Sequence, residues 1–554
     1  MKTRAAVLAL LVSTACARQG SQRTLKLSDL PDVDMSRVMA HTRVLSSDEF
    51  EGRAPGTIGE EKTAAYLVDQ FTKIGLKPGN PDGSFIQRVP LVGITAAAAP
   101  LVFARGKQQI TARWKDDVVA LTRRVTDVAS IAQSELVFVG YGVVAPEFNW
   151  DDYKDVDVRG KTLVMLVGDP PVPDPVRAGE LDPQTFGGRA MTYYGRWTYK
   201  YEIGATKGAA AVLIVHETEP AGYGFNVVQD SNTGEQFTFV TPDKNMNRAS
   251  IEGWLSLNQT EKLFAMAGQD FHALKARAVT REFKPVPLGV TASMTLRNTL
   301  RTIESQNVMA KLEGMDPALK DEYVIYTAHW DHLGKSEQGI FHGARDNASG
   351  TAALLELSRA FTKITPAPRR SILFVSVTAE EKGLLGSQYY AVTPVYPLAK
   401  TVAEINFDEL NVSGRTRDVT LIGLGASDLD DYVRDAAAEQ GRVVRGDAEP
   451  EKGGYYRSDH FSFAKQGVPA LDPDQGVEYR DKPAAFGQDV RNDWIEHRYH
   501  TPNDVITASW DLSGAAEDLK LYLAVGYRVA QSDKIPEWKA GNEFKAIRDK
   551  QLHR

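Results

Sequence analysis

Cysteine is nearly absent from this chain of 554 residues, because Cys16 is the only one. A single thiol makes no internal disulfide, and once the export segment is removed it leaves no thiolate metal site. After the first residues, long apolar runs are also missing, so we expect no later stretch to span a membrane. The G-x-S-x-G elbow and the H-E-x-x-H helix do not occur either. These absences exclude a disulfide scaffold and argue against the hydrolases that carry those two motifs.

Positive charge is in deficit. Lys and Arg number 65 against 72 Asp and Glu, which gives a formal net charge of -7. Phosphate binding requires a basic face, so we expect no nucleic-acid partner. An apolar content of 42% with 25% charged residues is typical of a globular protein. The length predicts more than one domain.

The segment MKTRAAVLALLVSTACA (1–17) is typical of an export signal, with a basic start, an apolar core and small residues after it. Ala15-Cys16-Ala17 fits an A-x-A cleavage site. Cys16 is alternatively the lipidated cysteine of a bacterial lipoprotein, although Ser13 stands where the usual lipobox has Leu. We therefore expect an exported protein, periplasmic or extracellular, with an outer-membrane lipoprotein as the alternative. Residues 18–30 are then a polar linker.

Two stretches with different sequence patterns follow. In residues 31–94, Thr57 and Glu60 have the spacing of a capping box, and the apolar positions after them predict a helix that ends at Gly75. In residues 95–290, short apolar runs alternate with loops rich in Pro, Gly and aromatic residues. This texture predicts a mainly β module with some helix, inserted between two parts of a larger domain.

The second part of that larger domain is predicted at 291–540, with a C-terminal tail at 541–554. Here buried-strand runs alternate with a helical run. The alternation predicts an α/β fold, a mostly parallel mixed sheet flanked by helices. The predicted elements are strands at Tyr323–Ala328, Ser371–Val377 and Val402–Phe407 and a helix at Ala348–Phe361.

Acidic and imidazole residues collect where these strands end. In open α/β sheets, ligands bind beyond the carboxyl ends of the strands, so clusters far apart in sequence are expected to converge. Any one of them alone is more often a cap or a surface residue. Together they predict a metal site, since all have the residue types of metal ligands. The five clusters are His329 with Asp331, Asp346, Glu380 with Glu381, Asp408, and His500.

These motifs resemble the co-catalytic di-zinc aminopeptidase family, which includes bacterial leucyl aminopeptidases and glutamate carboxypeptidase-like enzymes. The matching stretches are, in order, AHWDHLG, GARDNASG, TAEEKGLLGS, INFDEL and RYHTPND. LSSDEFEGRAPGTIGEEKTAAYL (45–67) and GGYYRSDHFSF (453–463) also resemble family segments, and residues 139–171 resemble a protease-associated domain. The resemblance implies a zinc exopeptidase fold, phosphorylase/hydrolase-like, in which the insertion at 95–290 is that protease-associated domain.

The resemblance also implies a role for each cluster. Two Zn²⁺ ions are expected per chain, and Co²⁺ or Mn²⁺ are substitutes on grounds of ligand type. The two neighbouring glutamates then have different roles: Glu381 binds a metal, and Glu380 faces the attacking water as general base. The implied ligands are His329 and Asp408 for one metal, Glu381 and His500 for the other, and Asp346 as the bridge. The remaining assignments are Tyr499 at the oxyanion, Asp331 beside His329, and His332 in packing or hydrogen bonding. Arg457 is a candidate substrate contact or forms a surface salt bridge, and His460 lines the substrate pocket or packs in the core.

The expected function is that of an exported zinc exopeptidase, specifically an aminopeptidase that acts on peptides. A carboxypeptidase of the glutamate carboxypeptidase type and a glutaminyl cyclase are alternatives on the same fold, and the cyclases work with one metal. A binding protein on this scaffold is a third hypothesis from another class. It predicts missing ligands, whereas all five are present. A dimer stays open, as does the role of the inserted domain.

Overall fold

The computed structural model of the protein describes residues 25–154 and 156–553. The predicted export signal at 1–17, with Cys16, lies outside the described residues, as does most of the linker at 18–30. Within the described part of the chain, no helix combines the length and the hydropathy that crossing a bilayer requires.

The strands of the described residues are numbered in chain order. They are β1 (Lys77–Pro78), β2 (Ile86–Ala98), β3 (Leu101–Arg105), β4 (Gln108–Ala112), β5 (Val118–Leu121), β6 (Val128–Phe138), β7 (Val144–Ala145), β8 (Trp150–Asp151), β9 (Thr162–Leu166), β10 (Ala211–His216), β11 (Gln236–Phe239), β12 (Ile251–Ser256), β13 (Val286–Leu312), β14 (Tyr323–His329), β15 (Gly334–Ser336), β16 (Gly339–Phe341), β17 (Ser371–Val377), β18 (Thr401–Asn406), β19 (Asp418–Ile422), β20 (Val443–Gly446) and β21 (Ala470–Asp474).

The α-helices are numbered in the same way. They are α1 (Met35–Leu45), α2 (Ile58–Ile74), α3 (Trp197–Thr206), α4 (Thr218–Ala221), α5 (Phe225–Asn232), α6 (Leu257–Ala267), α7 (Phe271–Arg277), α8 (Gly350–Phe361), α9 (Leu385–Val392), α10 (Leu429–Glu439), α11 (His460–Lys465), α12 (Phe486–His497), α13 (Ser513–Gln531) and α14 (Lys545–Gln551).

Four parallel strands form the centre of the molecule, in the order β17, β14, β18, β21. Every residue of β14, β17 and β18 is buried, as expected for a parallel sheet with both faces covered. Strand β13 lies antiparallel beside β17, and β19 lies antiparallel beside β21. Side chains of α2, α8 and α13 complete the apolar core. The predicted α/β fold, a mostly parallel mixed sheet flanked by helices, is therefore confirmed.

Helix α2 follows the prediction in its bounds but not in its cap. It begins after Thr57 and ends before Gly75, whose φ of 88° is left-handed. The Thr57 hydroxyl donates to the carbonyl of Ala54 instead of accepting from the helix. Glu60 accepts the backbone N–H of Gly56. The predicted capping box is wrong, because the preceding turn offers both side chains closer partners.

The region from 95 to 290 contains its own parallel strands, in the order β6, β9, β10, β12, with β5 antiparallel at β12. Helices α3 and α6 pack against these strands. Strands β2 and β13 cross the predicted boundaries, and they pair from Leu296 with Ala98 to Val308 with Ile86. The two regions are therefore joined by a continuous pair of strands, and the division into domains stays a prediction.

Candidate metal centre

Five side chains meet beyond the carboxyl ends of the central strands. Parallel strands end at the same edge of a sheet, so residues distant in sequence are brought together there. The turn at 344–349 before α8 and the segment after α12 complete the ring of loops. The contributing residues are His329 at the end of β14, Asp346 before α8, Glu381 after β17, Asp408 after β18, and His500 after α12.

Asp346 lies in the middle of this cluster. Its Oδ1 is 3.3 Å from His329 Nε2, and its Oδ2 is 3.3 Å from His500 Nε2. A second carboxylate approaches the same Nε2 of each imidazole. Asp408 Oδ1 is 3.1 Å from His329 Nε2, and Glu381 Oε2 is 3.0 Å from His500 Nε2. Each imidazole thus faces two carboxylates, and Asp346 is common to both groups.

The cluster has more negative charge than the chain balances. Among the described residues, no Lys or Arg forms an ion pair with its carboxylates, whose only ion-pair partners are histidines. Like charges repel strongly where little water screens them. A donor set of imidazole nitrogens and carboxylate oxygens without a thiolate fits Zn²⁺ and also admits Co²⁺ or Mn²⁺. The crowded carboxylates are Asp331, Asp346, Glu380, Glu381 and Asp408.

The pKa values show how strongly these groups act on one another. Burial lowers the pKa of His329, but carboxylates, Asp408 foremost, outweigh burial and raise it well above its usual value. The pKa of His500 is raised in the same way, against burial, by Glu381 and Asp346. Burial raises the pKa of Asp346, yet its hydrogen bonds to both imidazoles hold it well below its usual range. Each shift thus comes from imidazoles and carboxylates that act on one another at close range.

Glu380 stands slightly apart from the other acids. Its Oε2 is 4.0 Å from His329 Nε2, and its side chain is 13% exposed. Burial raises the pKa of Glu380 well above its usual value; the charge of His329 opposes this, and Asp408 and Glu381 add to it. A carboxyl group with a raised pKa is suited to accept a proton and release it again.

Asp331 contacts His329 through a different atom from the expected one. His329 Nδ1 is 3.1 Å from the main-chain oxygen of Asp331 and 3.8 Å from its carboxylate Oδ1. That carboxylate oxygen instead accepts the backbone N–H of Glu380 at 3.1 Å. A carbonyl therefore orients the imidazole, as is common in metal sites. The carboxylate fixes the turn that carries both glutamates.

Three non-glycine residues around the cluster have left-handed backbone. Ala379 has a φ of 54°, Glu409 of 66° and His500 of 57°. Such conformations are costly for residues with a Cβ and are concentrated at functional sites. His500 is a predicted ligand, Glu409 adjoins the ligand Asp408, and Ala379 adjoins the predicted base Glu380, so all three strained residues lie where site side chains are held.

His332 reaches the cluster although the sequence analysis assigned it to packing or hydrogen bonding. Its side chain is fully buried, and its Nδ1 is 2.6 Å from Glu381 Oε1. The ligand atoms of His332, Asp346 and Glu381 lie within 4.8 Å of one another, as do those of His329, Asp346 and Asp408. Two imidazoles therefore approach Glu381, one at each oxygen. The D-H-L-G spacing was visible in the sequence, but the direction of the ring was not.

Two further contacts were not expected. The Ser458 hydroxyl donates to Asp408 Oδ2 at 2.7 Å. The carboxylate of Asp504 accepts the backbone N–H groups of Arg345 at 2.9 Å and Asp346 at 3.0 Å. Both residues lie in motifs already quoted, RSDH and HTPND. Spacing alone does not tell that a side chain of one loop will hold a ligand or the backbone of another.

Tyr499 lies on the open side of the cluster. Its ring stacks on that of His500 with centroids 3.9 Å apart, and the residue is 44% exposed. Arg457, which directly precedes Ser458 in the chain, is exposed and donates to the carbonyl of Lys452. Both side chains are accessible from solvent, which a contact with substrate requires.

His460 is placed differently from the other predicted substrate contact. It is fully buried, its Nδ1 lies 3.6 Å from Asp472 Oδ2, and its ring packs edge-on against Tyr455. Burial lowers its pKa to about 3. The structure brings His460 into the interior behind the cluster, and its part in substrate binding stays a prediction.

Comparison with known proteins agrees with this geometry. Residues 307–524, which contain every predicted site residue, match peptidase family M28. The chain is 41% identical over 128 residues to the aminopeptidase NAALADL1 of Mus musculus, over 22% of this chain and 16% of that protein. It is 30% identical over 300 residues to the probable glutamate carboxypeptidase AMP1 of Arabidopsis thaliana, over 50% of this chain and 38% of that protein.

Solved structures also resemble the chain. An aminopeptidase from Aneurinibacillus sp. strain AM-1 is similar with a TM-score of 0.47 and 18% sequence identity, over 91% of this chain and 96% of that one. The two curated relatives are matched over only 16% and 38% of their own lengths.

Proposed function

We propose, on the premise that residues 307–524 form a domain of peptidase family M28, that this chain is an exported zinc-dependent aminopeptidase. It would remove N-terminal residues from peptides. The observation that carries the proposal is the position of Asp346, with one carboxylate oxygen on His329 and the other on His500. A carboxylate shared in this way is what a pair of adjacent divalent cations requires.

Five residues would hold the cations. We assign the second position to His500 rather than His332, because His500 Nε2 faces both Asp346 and Glu381 whereas His332 contacts Glu381 alone. When bound, divalent cations in such a site polarise the scissile carbonyl and lower the pKa of water toward about 7. The ligands are His329 and Asp408 on one side, Glu381 and His500 on the other, and Asp346 between them.

The chain's own residues then move the proton. Glu380 Oε2 takes a proton from the attacking water and returns it to the nitrogen of the leaving amine. Asp331 keeps Glu380 in place by accepting its backbone N–H. The exposed Tyr499 hydroxyl stabilises the oxyanion, and Arg457 contacts the substrate. His460, behind the cluster, supports the pocket from inside.

The general base is tested by Glu380→Gln. The variant removes the proton acceptor and keeps the shape of the side chain, so we expect kcat to fall by about 10²- to 10⁴-fold while both cations remain bound. Hydrolysis of aminoacyl-nitroanilides and metal content are measured on the same sample. Glu337→Gln, at an exposed position, is the control. A fully active Glu380→Gln would show that another group takes the proton.

Metal dependence is tested on the wild-type chain. We expect a chelator to stop the hydrolysis and Zn²⁺ to restore it. A metal-replete protein that cleaves no peptide would contradict the proposed activity. A measured content of one cation per chain would favour a glutaminyl cyclase over a peptidase of this kind.

A carboxypeptidase is the second candidate, favoured by the match to a relative named as a probable glutamate carboxypeptidase. The same cluster serves both reactions, because the bond broken is an amide in each. Peptides blocked at the N-terminus and peptides blocked at the C-terminus separate the two. Cleavage that survives only the N-terminal block would assign the chain to the carboxypeptidases.

A further inference from the structure

Arg53 is a fully buried arginine whose partners among the described residues include no carboxylate. Its relative exposure is 0%, and its side-chain hydrogen bonds all go to main-chain oxygens. Burial of an unpaired charge is costly, so a buried guanidinium needs other partners. Burial lowers the pKa of Arg53 to about 10, and the charges of Asp504 and Asp331 oppose this. The group therefore stays cationic at neutral pH.

Four backbone carbonyls are those partners. The Nε of Arg53 donates to the Trp330 oxygen at 2.8 Å. One terminal nitrogen donates to the Leu45 and His342 oxygens, both at 2.7 Å, and the other donates to the Gly343 oxygen at 2.9 Å. These donors form the planar fork that only a guanidinium provides.

Three of the four carbonyls belong to the two loops that carry predicted ligands, and the fourth, of Leu45, ends α1. Trp330 directly follows His329, and Gly343 lies three residues before Asp346. One side chain therefore ties together the loop after β14 and the turn before α8. Because the bonds go to the chain's own carbonyls, they form without help from a cation.

A tight turn at residues 51–53 places the Arg53 side chain between these two loops. Glu51 and Arg53 have left-handed φ angles of 46° and 53°. At Gly52, a Cβ would lie 2.4 Å from the Gly334 oxygen and 2.5 Å from the Phe341 oxygen, so only glycine fits against β15 and β16. A strained turn maintained at this position indicates a requirement beyond ordinary packing.

We propose that Arg53 is a positioning residue for the metal centre, whose guanidinium fixes the loops of His329 and Asp346 at their separation before any cation binds. This rests on the metal centre of the proposed function. Arg53 touches no ligand side chain and acts only through the backbone that carries them. The proposal gives a role to the EFEGRAPG segment, which none of the five ligand motifs includes.

The test is Arg53→Lys, which keeps the charge and loses the fork. We expect Zn²⁺ affinity, measured by competition with a chromophoric chelator, to weaken by about 10- to 100-fold, the usual effect of losing an outer support of a metal site. Activity returns in part when Zn²⁺ is raised to saturation, which a lesion of the chemistry itself would not allow.

Arg370→Lys is the matched control. Arg370 is 1% exposed and precedes β17 at the end opposite Glu380. It donates to the carbonyls of Val529 and Ser532 and, unlike Arg53, also to a carboxylate, that of Glu322 at 2.8 Å. We expect it to lower thermal stability and leave Zn²⁺ affinity within about twofold of wild type, since it lies outside the supports of the metal site. Equal Zn²⁺ affinity in both variants would overturn the positioning role. A wild-type chain that binds no metal would instead overturn the proposed function.

A measurement on the wild-type chain keeps the proposal testable if Arg53→Lys does not fold. Hydrogen exchange is followed after chelation and after addition of Zn²⁺. We expect the amides of 330–332 and 343–346 to be about as protected without metal as with it. Free exchange of these amides in the metal-free protein would overturn the proposal.

Discussion

Two regions of the molecule bury charge beyond the ends of parallel strands, and they balance it differently. In the inserted region, Lys200 is fully buried and donates to the carbonyls of Tyr141 at 2.7 Å and Gly168 at 3.1 Å, just past β6 and β9. Burial lowers its pKa to about 8, against the opposing charges of Asp169 and Asp152. A cation of the chain itself thus faces these carboxylates.

The two carboxylates beside Lys200 are also hydrogen-bonded at both oxygens. Asp152 accepts from the backbone of Val143 at 2.9 Å and from Trp150 Nε1 at 2.8 Å. Asp169 accepts from the backbone and the hydroxyl of Thr192, both at 2.7 Å. Nothing in this cluster remains for a ligand to satisfy.

The metal centre is the opposite case. Asp331 Oδ2 and His332 Nε2 are buried without a hydrogen-bond partner among the described residues, and Glu381 Oε1 has only its 2.6 Å contact with His332 Nδ1. Buried polar atoms are nearly always paired, so such exceptions need a reason. Position at the ends of parallel strands is common to both regions. The uncompensated negative charge and the unsatisfied polar atoms distinguish the candidate metal centre from the Lys200 cluster, whose charges only stabilise the fold.

The largest effect is expected from Asp346→Asn. The amide lacks the charge that both imidazoles face, so we expect the variant to lose both cations and all measurable turnover. Metal content after dialysis and hydrolysis of aminoacyl-nitroanilides measure this. Asp152→Asn, in the inserted region, is the control, and we expect that variant to keep the cations at the site of Asp346. If Asp346→Asn retained both cations, the shared carboxylate would not be the centre of the site.

The sequence predicted the elements of the central sheet because each has a clear local pattern. The runs at 323–328 and 371–377 are mostly apolar, and the structure buries both. The predicted helix at 348–361 begins at Gly350, since the preceding turn holds Asp346 in an irregular conformation. Pairing between regions was not predictable, because β13 joins both sheets through partners far away in sequence.

For the site, residue types at strand ends were enough to predict which loops meet. They were not enough to predict the contacts between loops. The carboxylate of Asp331, the hydroxyl of Ser458 and the guanidinium of Arg53 act on groups of other loops that no local spacing identifies. Such contacts depend on the three-dimensional approach of two backbones.

Lys200→Met removes the cation that faces Asp152 and Asp169, and so leaves the inserted region with uncompensated carboxylates as well. Two carbonyls lose their donor and two buried acids lose their counter-charge, so we expect the free energy of unfolding to fall by about 3–5 kcal/mol. Denaturant unfolding measures this. Lys207→Met, which removes a cation lying over the ring of Tyr153, is the control with a smaller effect. Metal content of the folded Lys200→Met protein stays unchanged; a loss of metal would show that the two regions are coupled.

The smallest effect is expected from Ser458→Ala, which removes a single hydrogen bond to a ligand. Asp408 Oδ2 loses its donor at 2.7 Å, and the carboxylate gains freedom to rotate away from His329. We expect Zn²⁺ affinity to weaken by about tenfold, at the lower end of the range for outer supports of metal sites. Ser462→Ala is the control, because that hydroxyl contacts Ser387 and no ligand. Equal Zn²⁺ affinity in the two variants would mean that the Ser458 hydroxyl does not help to hold Asp408 in place. The candidate metal centre would then depend less on hydrogen bonds to its carboxylates than the Lys200 cluster does.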